Sequence, residues 1–477
     1  MNWKAFVLGL AWVASTSGIT PEDAAPPASA VRPAGRIKYS NQSFVCLDVG
    51  ETYVYRLKDG RERRIRLQAV TEHADSVIGL MRRAEVLVEI EGAPLKLVCE
   101  PYVMPTEVNG LRIQADTTSG WMNVAKRVQL SLWDASDPVV DTELFVFPLA
   151  KYGLFSQGTQ GYNEPVHLGH RDGDPAGQRF YHDYGFDMAG FEGRDEVLAC
   201  VDGTIIAVYP EVGTLILEDD RGTVFEYGHM DKILPEIKEG VEVKRGRKLG
   251  LLGRKGGSGN FSHLHVGAYL SRADLAAGHN CRNLNLYPWI MEAFRKSSRQ
   301  TLFAVARPHH AVRTGETVRF DGTRSLAYGS KIKTFRWEFH DGTSVNGARA
   351  EKVYDRPGTY IAALWVEDER GSRDVDFCKV KVYSSDKVED VMPTLFLTYW
   401  PSRDVRAGQT VYFRGWPQGA EAGAIRIDFG DGRVIEDYVP YSEVSHSFRN
   451  RGLHVVTATT TAAGFSVTQK VKVIVER

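Results

Sequence analysis

The stretch GNFSHLHVGAYL, residues 259–270, places two histidines on either side of one leucine. Period-2 spacing in an apolar run reads as a β-strand, so the His263 and His265 imidazoles point to one face. A third histidine, His229, ends another strand-like run, TVFEYGHM, and RFYHDYGFDMAGFEG supplies His182, Asp183 and Asp187. Such donors on three separate strands, approached by a glycine-rich loop over 253–259, suit a divalent metal. A catalytic zinc takes three N/O ligands and keeps a fourth position for water, whose pKa falls to about 7. Of two imidazoles on one face, one would bind the ion as a neutral ligand, and its neighbour would move protons or stabilise an oxyanion.

The third ligand has two candidates. Asp183, Gly185, Asp187 and Ala189 share one face of an extended segment; His182, Tyr184, Phe186 and Met188 share the other, which is apolar and reads as core. Parity therefore favours Asp183. Ligand chemistry favours His182, because imidazole is the commoner zinc donor beside a carboxylate, and a bulge near Gly185 would rotate it into the site. Two aspartates and one histidine would make a harder site, less selective for zinc. His167 and His170, in the polar run EPVHLGHRDGD, read as solvated loop residues.

The order of these pieces resembles the lysostaphin/LytM-type zinc metallopeptidases, the duplicated-hybrid-motif endopeptidases. Their pattern is His-x-Gly-x-Asp, an aromatic-x-His ending a strand, a glycine-spaced run, then His-Leu-His. Here DYGFD (183–187), YGHM (227–230), KEGVEVKRGRKLGLLG (238–253) and HLHVG (263–267) stand in that order, with LACVDGTIIAVYP between the first two. The first motif departs from the pattern, since Asp183 stands where the family has histidine. The resemblance implies that Asp187 and His265 bind Zn2+ and that His229 and His263 divide the roles of general base and transition-state stabiliser, in an order left open. It implies hydrolysis of a peptide bond, in most members a cross-link of bacterial peptidoglycan. A non-catalytic descendant that binds peptides or partner proteins is the alternative, and an adhesion or scaffold protein is a third reading.

The elements that must position these residues are mostly strands. Val, Thr, Tyr and Phe are frequent, there are 46 glycines, and long amphipathic helical patterns are scarce, so an all-β multidomain chain is expected. Short strand-like runs over 37–140 predict a β-sandwich-like domain without a chemical motif. Residues 141–298 hold the histidine constellation in a predicted antiparallel β-sheet domain, closed by a helix over LYPWIMEAFRKSS with Pro288 in its first turn.

Beyond it the chain repeats itself. GETVRFDG is echoed by GQTVYFRG and FRWEFHDG by IRIDFGDG, at a period of about 90 residues, which suits tandem sandwiches over 303–385 and 392–476. Both units resemble polycystic-kidney-disease (PKD) domains. The first carries Trp337, Phe339, Asp341, Gly342, Tyr354, Pro357, Gly358, Tyr360, Val366 and Asp368; the second is looser, with Ile427 for the tryptophan and Phe448 for the first tyrosine. These residues are expected to be core and turn, serving as spacer or polymer-binding modules.

The bulk numbers bound the partners. With 59 basic and 60 acidic side chains the net charge is −1, and no basic run marks a nucleic-acid partner. MNWKAFVLGLAWVASTSG has the layout of a secretory signal, read over 1–19, followed by a Pro/Ala-rich linker over 20–36. Its apolar run is too short for about 30 Å of hydrocarbon, so no membrane span is expected after its removal. The expected location is secreted, periplasmic or cell-envelope. Export permits disulfides among the five cysteines; Cys46–Cys99 is the first expected pair and Cys200–Cys281 the second.

Overall fold

The computed structural model describes residues 38–77, 79–121, 124–167, 180–277, 283–384 and 392–476. The expected signal and linker, His170 and Cys281 lie outside the described residues. The chain is nearly all β, as its strand-like runs predict.

The N-terminal region packs two four-stranded sheets face to face. The strand Glu62–Ala74 shows why: Ile65 and Leu67 alternate with exposed charged residues, so one face must be covered. Val45, Leu111, Ile113, Leu130 and Leu132 of the other sheet cover it. Cys46 lies in one of these sheets and Cys99 in the other, and no disulfide joins them; Cys99, Cys200 and Cys378 are buried thiols. The expected Cys46–Cys99 bridge is absent because the two side chains face different ways: Cys99 enters the core between the sheets, whereas Cys46 lies on the opposite face of its strand from the core residues Val45 and Leu47.

The middle region is built on a seven-stranded antiparallel sheet. Its order is Glu242–Val243, Gly203–Tyr209, Thr214–Glu218, Val224–Gly228, His263–Tyr269, Phe186–Ala189 and Thr159–Gln160. A second sheet of Glu196–Leu198, Lys248–Leu251 and Lys232–Ile233 accompanies it. Period-2 alternation sorts the two faces of the central strands. Phe186, Met188, Leu264 and Val266 enter the main core, while Asp187, His263 and His265 face the opposite way. The helix Tyr287–Ser298, with proline in its first turn, closes that core with Trp289, Ile290 and Phe294.

Each C-terminal repeat has its own core. Trp337, Phe339, Tyr354, Tyr360 and Val366 are buried in the first, and Ile427 and Phe448 occupy a corresponding core in the second. The repeats nevertheless share one ten-stranded sheet, because Gly358 and Thr359 pair in parallel with Ser466 and Val467. The buried Lys472 ammonium also meets the buried Asp374 carboxylate at 2.6 Å.

Both repeats grip the middle domain. Buried Arg307 donates to the carbonyls of Thr159 (2.5 Å) and Gln157 (3.0 Å) and pairs with Asp376 at 3.2 Å. The Trp416 indole N–H donates to the Asn260 carbonyl at 2.9 Å, beside the Tyr441 hydroxyl, which accepts from the Asn260 amide. Among the described residues no helix is long and apolar enough to cross a membrane.

Candidate active site

Three neighbouring strands bring the site together. Register pairs Asp187 with His265 across one strand boundary and Gly228 with His265 across the other. His265 thus sits centrally, Asp187 to one side, and His229 just past the end of the third strand. The His265 Nδ1 lies 2.7 Å from Asp187 Oδ1 and 4.0 Å from Asp183 Oδ1, and the His263 Nε2 lies 3.2 Å from Asp187 Oδ2. Asp183, Asp187 and His265 form a buried cluster whose donor atoms all fall within 4.8 Å of one another. The His229 and His263 rings lie against each other beside it, their centroids 4.5 Å apart, with the His229 ring 6.1 Å from that of His265.

His182 takes no part. Its Nε2 contacts the Met81 carbonyl oxygen at 2.9 Å and its ring lies edge-on to Trp121, both in the N-terminal region. The bulge that would have rotated it inward does not form. Instead, Asp183 folds back on its own chain, its Oδ1 accepting from the Gly185 N–H at 2.9 Å, and its side chain turns to the site as parity predicts.

Glycines make the room. A Cβ on Gly185 would lie 2.5 Å from His265 Cε1 and 2.8 Å from the Val266 carbonyl oxygen, and one on Gly228 would meet His265 Cβ at 3.1 Å. Sequence reasoning weighed Gly185 only as a bulge; its role is to admit the ring. Phe261 was also missed: it stacks on His263 at 4.7 Å, and its carbonyl fixes the His263 Nδ1 at 2.8 Å. Its position two residues before His263, on the same face of an extended chain, was the available signal.

The charge pattern asks for a cation. Burial favours the protonated form of both aspartates, but at Asp187 the adjoining His263 and His265 outweigh it and hold the carboxyl well below its usual range. Burial and then the Asp187 charge push Asp183 well above that range, so without a counter-ion one carboxylate must keep a proton. Burial opposes charging of His265, yet Asp187 raises it to about 9. Asp183 Oδ2 and His265 Nε2 are buried without a hydrogen-bond partner. Two carboxylates, one imidazole and unspent polar atoms fit a divalent ion.

His229 is tuned differently. Burial, then the neighbouring His263 and His265, pull it down to about 3, so it is neutral near pH 7. Its Nδ1 lies 2.7 Å from the Lys255 carbonyl oxygen, which only accepts, so Nδ1 carries the hydrogen and Nε2 keeps its lone pair. The residue sits in the left-handed region at φ 64°, an uncommon conformation for a non-glycine residue, and it is partly exposed.

Residues 181–276 match the model of peptidase family M23, and residues 303–382 match the PKD domain model. The middle region is an M23 peptidase domain. A PKD domain follows it. Among curated proteins the chain is similar to Collagenase ColA of Clostridium perfringens, 35% identical over 86 residues, 18% of this chain and 8% of that protein. It is also similar to Collagenase ColA of Bacillus cereus, 33% identical over 89 residues, 18% of this chain and 9% of that protein. The chain thus spans less than a tenth of the length of these curated relatives. Among solved structures it is similar to a putative glycyl-glycine endopeptidase lytM from Ruminococcus gnavus, at 24% identity, covering 31% of this chain and 60% of that one, with a TM-score of 0.22. Another is the catalytic domain of the prophage-encoded M23 protein EnpA from Enterococcus faecalis, at 23% identity, 28% and 95% coverage and a TM-score of 0.19.

Proposed function

We propose that the chain is an exported, metal-dependent endopeptidase that hydrolyses peptide bonds of the bacterial cell wall, with zinc as its ion. The observation that carries this reading is the convergence, within the M23 peptidase domain, of Asp183, Asp187 and His265 beside the adjoining imidazoles of His229 and His263. Asp183, Asp187 and His265 would hold the ion. When bound, it would polarise the scissile carbonyl and acidify a water. His229, neutral and with a free Nε2 lone pair, is placed to take a proton; His263 would stabilise developing negative charge as the imidazolium, with Nδ1–H fixed on the Phe261 carbonyl and Nε2–H, which faces Asp187 Oδ2 at 3.2 Å, as the donor. The partly exposed side of His229 is where a substrate would enter.

Digestion of purified peptidoglycan and of pentaglycine, with mass analysis of the fragments, tests this. Cleavage that stops with a chelator and returns with one zinc equivalent is expected; products that persist under chelation would sink the metal-dependent reading.

One observation favours a second reading. Asp183 replaces an imidazole ligand with a carboxylate, which weakens the preference for zinc. The M23 fold would then serve as a peptide-binding cleft. Bound peptide without any cleavage, in the presence of zinc or manganese, distinguishes it.

A further inference from the structure

Beside His263 opens a cavity of about 80 Å³ that no single domain encloses. Arg82 comes to it from the N-terminal sandwich, Phe261 and His263 from the peptidase domain, Lys379 and Lys381 from the PKD domain, and Phe396 from the second repeat. Among the described residues its lining holds no aspartate or glutamate. Lys379 and Lys381 lie two apart on the strand Arg373–Tyr383 and so share a face. Arg82 is already offset by Asp75 at 3.2 Å, whereas Lys379 makes no ion pair with a described residue and holds its ammonium 5.7 Å from the Phe396 ring centroid. Burial, then Arg307, pulls Lys379 down to about 8; burial, then Lys379 itself, pulls Lys381 down to about 7. Two crowded, desolvated ammonium groups with no lining acid make a site that an anion would stabilise. The volume admits several waters, hence a carboxylate. The lining also carries hydrogen-bonding side chains, among them Gln160, Ser258, Thr394 and Gln418, and the two lysines favour an anion over a neutral sugar, so a carboxylate is the ligand the site fits.

The cavity also has a fixed relation to the chemistry. The Phe261 ring stacks on His263 at 4.7 Å and on Phe396 at 5.0 Å, forming a short aromatic wall from the site to the lysines. That wall is about three extended residues long, at roughly 3.4 Å each.

We propose that this cavity is a carboxylate subsite, which selects peptides bearing an acidic side chain or a free C-terminal carboxylate about three residues from the bond presented to His263. The inference rests on the peptidase reading for what is cleaved, but not for what is bound. The test uses the full chain in chelator, so that nothing is hydrolysed. Calorimetry compares pentaglycine with its C-terminal amide, and Gly-Gly-Gly-Glu-Gly amide with Gly-Gly-Gly-Gln-Gly amide. At least ten-fold tighter binding of one acid over its neutral twin is expected, and which pair shows it tells terminus from side chain. The preference should disappear in the Lys379→Gln/Lys381→Gln double variant and survive in Lys379→Arg/Lys381→Arg. Equal affinities within both pairs of peptides, or no binding by any of the four, overturn the subsite without reference to any variant. With metal restored, cleavage that ignores the acid in KM likewise refutes the subsite while leaving the peptidase reading intact; charge-selective binding without cleavage refutes the peptidase reading and leaves the subsite.

Discussion

At the scale of single residues, the site depends on space as much as on ligands. Gly185 leaves the volume that the His265 ring fills. Gly185→Ala should displace that ring, lower metal affinity by more than ten-fold and reduce turnover by about a hundred-fold through misplacement alone, with an unchanged far-ultraviolet circular dichroism spectrum. Chelator competition measures the first effect and single-turnover kinetics the second. Asp183 admits a chemical test of a different kind. Asp183→Asn keeps the shape but removes a charged oxygen donor, and should also weaken metal binding by more than ten-fold. Asp183→His should shift the preference from manganese toward zinc, read by competition between the two ions. An unaltered zinc-to-manganese ratio in Asp183→His would falsify the ligand role.

At the scale of elements, much of this was legible and the reasons are specific. The His-Leu-His run declared its strand because period-2 spacing admits one arrangement of faces, and the same parity placed Asp183 rather than His182 inward. His182 misled because its actual partner, the Met81 carbonyl, belongs to a different domain; no local pattern encodes that contact. The repeats declared themselves through their Asp-Gly turns, a Pro-Gly turn in the first echoed by Arg-Gly in the second, and their apolar core positions. The cysteines did not, since export permits a bridge but only the pairing of strands decides which side chains meet. Another feature invisible in the sequence is the support of the glycine-rich loop: Trp416 of the second repeat holds Asn260, and Arg254 lies over the Trp416 ring at 5.7 Å. Loops that carry catalytic residues need such bracing. Trp416→Phe removes the indole donor while keeping most of the packing. It should lower kcat/KM several-fold and leave metal stoichiometry unchanged, a split that steady-state kinetics and metal analysis on one preparation would reveal.

At the scale of the whole molecule, stability should depend on pH in a direction set by buried acids. Asp116, inside the N-terminal sandwich, is pushed up to about 7 by burial, against which hydrogen bonds from Ser131 and Gln129 work only partly. The folded chain therefore holds this proton more tightly than the unfolded chain, whose value is about 3.9. The associated stability is complete below about pH 4, declines as the pH rises, and is gone above about pH 7. Asp116→Asn should remove that loss, raising stability at pH 8 by roughly 2–4 kcal/mol at most and changing little at pH 4. Thermal melts of both forms across this range check it, and parallel slopes would count against the assignment.

Arg307 is the other global element. Replacing it with alanine strands the buried Asp376 charge, at a cost of about 3–5 kcal/mol, and should expose the junction between the PKD and peptidase domains to limited proteolysis. The continuous sheet across the two C-terminal repeats has a kinematic meaning as well. Backbone hydrogen bonds between Gly358–Thr359 and Ser466–Val467, with the Lys472–Asp374 pair alongside, leave no swivel between the repeats. They would travel as one lever, so that a load applied at the far repeat is felt at the Asn260 carbonyl and, one aromatic ring further, at His263.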